Sequence, residues 1–188
     1  MVGSYGGACR RKLCDAELPR PAREQEGGIK PTIPDRRHPH RWHEEVYATS
    51  RAPIFVTIVA KKDCALVPDL APVVTTVLQE RAARFGIVLR AYCVMPDHVH
   101  VVCSVASEES DFPAFVTMFK SEVSRRAHCL GHSEFGWSRS YWDRHARKED
   151  DVGRMIEYVL ANPVRKGLCD RWEAWPWSEL LRDSLDAR

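Results

Sequence analysis

The stretch IVLRAYCVMPDHVHVVCSV, from Ile87 to Val105, leaves the chain few conformational options. Two apolar, β-branched runs flank Pro96 and Asp97, a pair suited to a tight turn, so the chain is expected to double back as an antiparallel hairpin. Side chains alternate along a strand, which puts His98, His100 and Val102 on one face and Val99, Val101 and Cys103 on the other. The two imidazoles interrupt a run that otherwise reads as buried. Held neutral and side by side, they can supply two legs of a divalent metal site. Taken alone, the pair has a plainer reading as two surface histidines.

The flanking segments extend the pattern. IFVTIVAKK (Ile54–Lys62) predicts a strand, and LAPVVTTVLQERAARFG (Leu70–Gly86) a helix with Pro72 in its first turn and Gly86 as its stop. DFPAFVTMFKSEVSRRAHCLG (Asp111–Gly131) predicts an amphipathic helix with Phe115, Met118, Phe119 and Val123 inward. FGWSRSYWDRHAR reads as a turn and a short strand, and DDVGRMIEYVLANP (Asp150–Pro163) as a helix ended by its proline. The order β-α-β-β-α-β-α implies an α+β fold: a ferredoxin-like antiparallel sheet (split βαβ) with helices packed on one face. Trp172, Trp175 and Trp177 in WEAWPWSEL are expected to dock the C-terminal segment.

Composition bounds the rest. Residues 1–48 carry five prolines, five glycines, nine Lys/Arg and seven Asp/Glu with no apolar period, which reads as an irregular basic arm before a domain at 49–182 and a short tail at 183–188. Within the arm, His38, His40 and His43 cluster. Seven cysteines include no C-x-x-C pair and the N-terminus lacks the apolar stretch of a secretory signal, so a reduced, cytoplasmic setting is expected. No run reaches the roughly 18 apolar residues of a membrane span. The net charge of +2 says little about partners, but seven Lys/Arg against three acids between Thr117 and Lys148 suit a phosphate backbone, or a solvated helix face.

The last helix holds further candidates. Val152, Met155, Ile156 and Val159 form an apolar stripe, and Tyr158 and Asn162, four apart, stack along its flank. An amide oxygen is a competent third ligand for Mg²⁺ or Mn²⁺, and a phenol one turn away can reach a phosphate held there. The competing reading makes Tyr158 a packing aromatic and Asn162 a cap before Pro163. Lys120, Arg125, Arg126, Arg144, Arg147 and Arg165 are candidate contacts to a nucleic-acid backbone. Trp137 and Trp142 are candidate platforms for unpaired bases, with core burial as the alternative. Tyr141 is a rival nucleophile without a ligand-type residue at i+4, His145 and Lys166 are candidate bases, and Asp97 is a turn residue or an orienting partner of His98.

YCVMPDHVHVV, MFKSEVSRRA, SYWDRHARKEDDVGRMIEYVLANPVRKGL and WPWSEL occur in this order between Pro53 and Leu180. Together they resemble the REP-associated tyrosine transposases, a branch of the single-tyrosine HUH transposase family. The resemblance implies an HUH endonuclease fold, with His98, His100 and Asn162 binding a divalent metal (Mg²⁺ or Mn²⁺) and Tyr158 as nucleophile. It implies a single-stranded DNA endonuclease and strand transferase that cleaves and rejoins DNA by transesterification through a 5′-phosphotyrosine. The expected partner is single-stranded or hairpin DNA carrying palindromic repeats, and the protein a monomer or a homodimer. Two other readings stay open: a protein of the same fold that binds DNA hairpins without chemistry, and a phosphodiesterase that uses metal-bound water in place of Tyr158.

Overall fold

The computed structural model describes residues 52–146 and 149–181. The expected arm at 1–48, Arg147 and the tail at 183–188 lie outside them. The chain begins with β1 (Ile54–Val59), α1 (Ala71–Arg84), β2 (Ile87–Val94) and β3 (His98–Val105). It continues with α2 (Phe112–Cys129), β4 (Trp142–His145), α3 (Glu149–Arg165) and β5 (Ser178–Leu180), with a short 3₁₀ turn at Trp172–Ala174. The strands form one antiparallel sheet in the order β4-β1-β3-β2-β5. Its first four strands have the split βαβ order, so the expected α+β ferredoxin-like class holds.

Local chemistry explains the helix ends. Pro72 lies in the first turn of α1, where a missing N–H costs nothing. Gly86 follows the helix at φ +64°, a conformation L side chains rarely adopt, and a Cβ there would meet Ser110 Oγ at 2.6 Å. The Asp111 carboxylate caps α2 by accepting the Ala114 N–H at 2.8 Å. Phe112, Phe115, Phe119, Val123 and Ala127 then form its buried stripe. Met118, expected inward, falls off that stripe and is 41% exposed.

Ile54, Val56 and Ile58 of β1 and Val99, Val101 and Cys103 of β3 belong to the main core, which α1 and α2 cover. The expected one-sided helix layer holds for these two helices and not for α3. Met155, Ile156, Val159 and Leu160 of α3 pack with Ala91, Cys93, Met95 and Val102 on the opposite face. The reason is the composition of the central strands: β2 and β3 carry apolar side chains on both faces and leave a second surface to be covered.

α3 also runs past Pro163, which was expected to end it. A proline this near the C-terminus removes one helical hydrogen bond, and the helix instead stops at Gly167, whose φ is +67°. The C-terminal segment docks as expected, and more regularly. It adds β5 to the edge of β2, and Trp175 Nε1–H donates to the Val94 carbonyl at 2.9 Å. Trp172 and Trp175 pack against the α3-side cluster and Trp177 against the main core. Among the described residues no helix is long and apolar enough to cross a membrane.

Candidate active site

The face that carries α3 is organised by strand register. Trp142, Thr57, His100, Cys93 and Ser178 are successive cross-strand partners, and Arg144, Phe55, Val102, Ala91 and Leu180 form the adjacent row. Directly paired residues point to the same side of a sheet, so both rows share the face of the two histidines.

His98 and His100 turn their Nε2 atoms toward each other at 2.9 Å. Two nitrogens bound to one cation at about 2.1 Å, at right angles, stand about 3 Å apart. Each ring is held from behind, His98 Nδ1 by Asp97 Oδ1 at 2.5 Å and His100 Nδ1 by Thr57 Oγ1 at 2.9 Å. An Nδ1–H donated to a carboxylate or hydroxyl oxygen leaves the Nε2 lone pair facing outward, the tautomer a metal requires. Burial, and then the neighbouring His98, push the His100 imidazole down to about 3, so that ring stays neutral. The hydrogen bond from His98 holds the Asp97 carboxyl below the usual carboxylate range, and the Lys166 cation acts in the same direction.

The helix reaches this pair. The Tyr158 ring lies edge-on to His100 at 5.7 Å between centroids and to Phe55 at 5.8 Å. Arg165, two turns on, sets its guanidinium carbon 5.3 Å from the Tyr158 ring centroid. Asn162, one turn beyond Tyr158, is 5% exposed. Among the described residues no cluster of three His, Cys, Asp or Glu is present, and it is the family resemblance that makes the Asn162 amide the candidate third donor. Two imidazoles and an amide oxygen are donor types that a divalent cation accepts, and the converging His98 and His100 Nε2 atoms suit such an ion.

The other candidates separate. Trp142 and Arg144 share the histidine face. Trp137 is instead 7% exposed in the main core, with Nε1–H donating to the Lys120 carbonyl at 3.1 Å, which withdraws it from base stacking. Lys120 Nζ donates to the Ser138 and Arg139 carbonyls, and Arg125 and Arg126 pair with Glu122 on α2. These three cations lie on α2, whose Phe115, Phe119 and Val123 pack into the main core on the sheet face away from the histidines. Tyr141 packs on Phe112 in the main core, and His145, whose register partner is Ile54, points to that side as well. Neither faces the pair. Thr57 and Phe55 are the site neighbours that sequence reasoning missed. Their alternation opposite Val56 and Ile58 was the available signal, but which strand would lie beside β3 was not readable.

A profile of the family described as "Transposase IS200 like" matches residues 46–161. A REP-associated tyrosine transposase of Escherichia coli (strain K12) is 25% identical over 95 residues, covering 50% of this chain and 55% of the relative. A Haemophilus influenzae protein named for the same group is 25% identical over 103 residues, covering 50% of this chain and 58% of its own. The chain thus matches little more than half the length of these relatives. A solved structure of a REP-associated tyrosine transposase bound to a REP hairpin superimposes with a TM-score of 0.61 at 20% identity, over 72% of this chain and 81% of that one. At that identity the likeness is one of fold.

Proposed function

The chain belongs to the IS200-like transposase family, and from that premise we propose that it is a metal-dependent single-stranded DNA endonuclease and strand transferase whose nucleophile is Tyr158. The observation that carries this reading is the meeting of β3 and α3, which brings the Tyr158 ring against His100 while the His98 and His100 Nε2 atoms converge. His98, His100 and the Asn162 amide would hold Mg²⁺ or Mn²⁺. Bound there, the cation supplies positive charge that polarises a phosphate and offsets the charge of an in-line transition state.

The chain's own residues account for the remainder. Asp97 and Thr57 hold the two rings in the orientation that turns both Nε2 atoms toward one point, where a cation would sit. Tyr158 Oη attacks phosphorus, the P–Oη bond forms, the bond to the 3′ oxygen breaks, and the phenol proton is passed to that departing oxygen. The product is a 5′-phosphotyrosine and a free 3′-hydroxyl, and attack by another 3′-hydroxyl reverses the step and joins strands. Arg165 sets its guanidinium against the Tyr158 ring as a cation–π contact and places a positive charge beside the nucleophile. Because the fold neighbour holds a REP hairpin, the substrate class we assign is single-stranded DNA with palindromic repeats that form hairpins.

The test is covalent capture. Labelled single strands carrying the inverted repeats that flank the coding region are incubated with the protein and Mg²⁺ or Mn²⁺, then run on a denaturing gel. A protein–DNA adduct is expected with the parent protein and none with Tyr158→Phe. Cleavage retained in Tyr158→Phe would replace the tyrosine with a water nucleophile. Tight hairpin binding with no adduct would leave a binding protein without chemistry.

A further inference from the structure

The histidine face continues past the reacting groups toward the edge of the sheet at β4. Trp142 is the cross-strand partner of Thr57, and Thr57 is the partner of His100 and its hydrogen-bond support. Two strand spacings separate Trp142 from His100, about 10 Å along the row, within reach of the base next to a phosphate held at the pair. Arg144 occupies the next row beside Phe55, the ring on which Tyr158 packs. The two residues therefore extend the floor on which the nucleophile and the imidazoles stand.

Their surroundings differ from those of the other large aromatics. Trp137, Phe135 and Tyr141 are built into the main core, and Trp172 and Trp175 pack against the α3-side cluster. Trp142 belongs to neither cluster and is only half-buried, while Arg144 is exposed. An indole left at a sheet edge with a guanidinium two residues along on the same side presents an apolar plane and a positive charge together. That pairing suits an unpaired base with its phosphate better than it suits a protein side chain, since every base offers a π-face and each nucleotide carries one negative charge. Arg165 stands over the Tyr158 ring, a second cation near the reacting groups.

We propose that Trp142 and Arg144 seat the nucleotide flanking the scissile phosphate, with the indole stacking its base and the guanidinium holding its outer phosphate. The inference takes from the proposed function only the identity of the phosphate at the histidine pair. It assigns β4 the task of fixing the strand's path, and it predicts contacts blind to base identity, since stacking and phosphate pairing carry no donor–acceptor code.

Binding of fluorescein-labelled (dT)12 to the Tyr158→Phe protein tests it with chemistry switched off. Trp142→Ala is expected to weaken binding about tenfold, the scale of one lost base stack, and Trp142→Phe by less than about threefold. Arg144→Ala is expected to weaken binding at low salt and to make the salt dependence of log Kd shallower by about one ion. Far-UV circular dichroism and melting of each variant keep a folding defect apart from a binding defect, and Arg144, being exposed, carries the test if Trp142→Ala does not fold. Unchanged affinity in Trp142→Ala together with an unchanged salt slope in Arg144→Ala overturns the proposal, as does absence of (dT)12 binding by the parent. Absence of a covalent adduct with the parent protein would overturn the nucleophile assignment and leave this binding result standing.

Discussion

The two faces of the sheet are built from the same strands and put to opposite uses. Beneath α1 and α2, alternate residues of β1 and β3 are wholly apolar: Ile54, Val56, Ile58, Val99, Val101 and Cys103. Their neighbours one position along, Phe55, Thr57, His98 and His100, form the floor of the site, and Phe55 and His100 meet Tyr158 of α3. Packing alone sets the first face, and the second adds directed hydrogen bonds at the histidine pair to its own apolar cluster. A substitution on one side should therefore cost stability and spare chemistry, and one on the other should do the reverse.

The sharpest break in that comparison comes from the site. Tyr158→Phe is expected to abolish covalent adduct formation outright while leaving the melting temperature within a few degrees, because only a hydroxyl is lost from a half-buried ring. Phe115→Ala on the other face is expected to cost about 3–5 kcal/mol of stability in urea unfolding, with adduct yield per folded molecule unchanged. Equal losses of stability in both variants would show that the faces are not separable.

Smaller effects sharpen it. Asp97→Asn removes the carboxylate behind His98 and is expected to weaken Mn²⁺ binding about 10–100-fold in a metal titration, with the fold intact. Thr57→Val, which removes the hydroxyl behind His100, should act in the same direction. The smallest effect lies on the helix layer. Arg125, then Arg126, pull the Glu122 carboxyl down to about 2 from an ordinary value of 4.5. A carboxylate depressed by folding stabilises the protein above the unfolded value and ceases to do so as pH falls through the folded one. Glu122→Gln should therefore lower the melting temperature by about 1–3 °C at pH 6, and the gap to the parent should close between pH 4.5 and 2.

Much of the fold was legible because it rests on local rules. The strand at His98–Val105 has the bounds its alternation implies, and Asp111, Pro72 and Gly86 mark helix ends through caps and backbone preferences. What failed was non-local. Pro163 reads as a helix stop, yet packing of α3 on the sheet carries the helix two residues further to Arg165, with Gly167 in the turn beyond it. The three residues of β5 are too short to announce themselves, and they form a strand because the β2 edge offers unpaired backbone groups. Trp137 and Trp142 are alike as residues and opposite in use: one donates its N–H to the Lys120 carbonyl inside the core, and the other stands at the edge of the site floor.

By itself, the sequence determined the hairpin and the shared face of His98 and His100, since a strand's pleat allows no other arrangement. It also determined that Tyr158 and Asn162 lie on one flank of one helix, since a helical turn places i and i+4 together. Only the tertiary structure decided that this helix crosses the histidine face and not the opposite one. Both faces of β2 and β3 are apolar, so the choice depended on burying the second face, and no local spacing encodes it. The same packing set Thr57 behind His100 and Phe55 beneath Tyr158, contacts between residues more than forty positions apart in the chain.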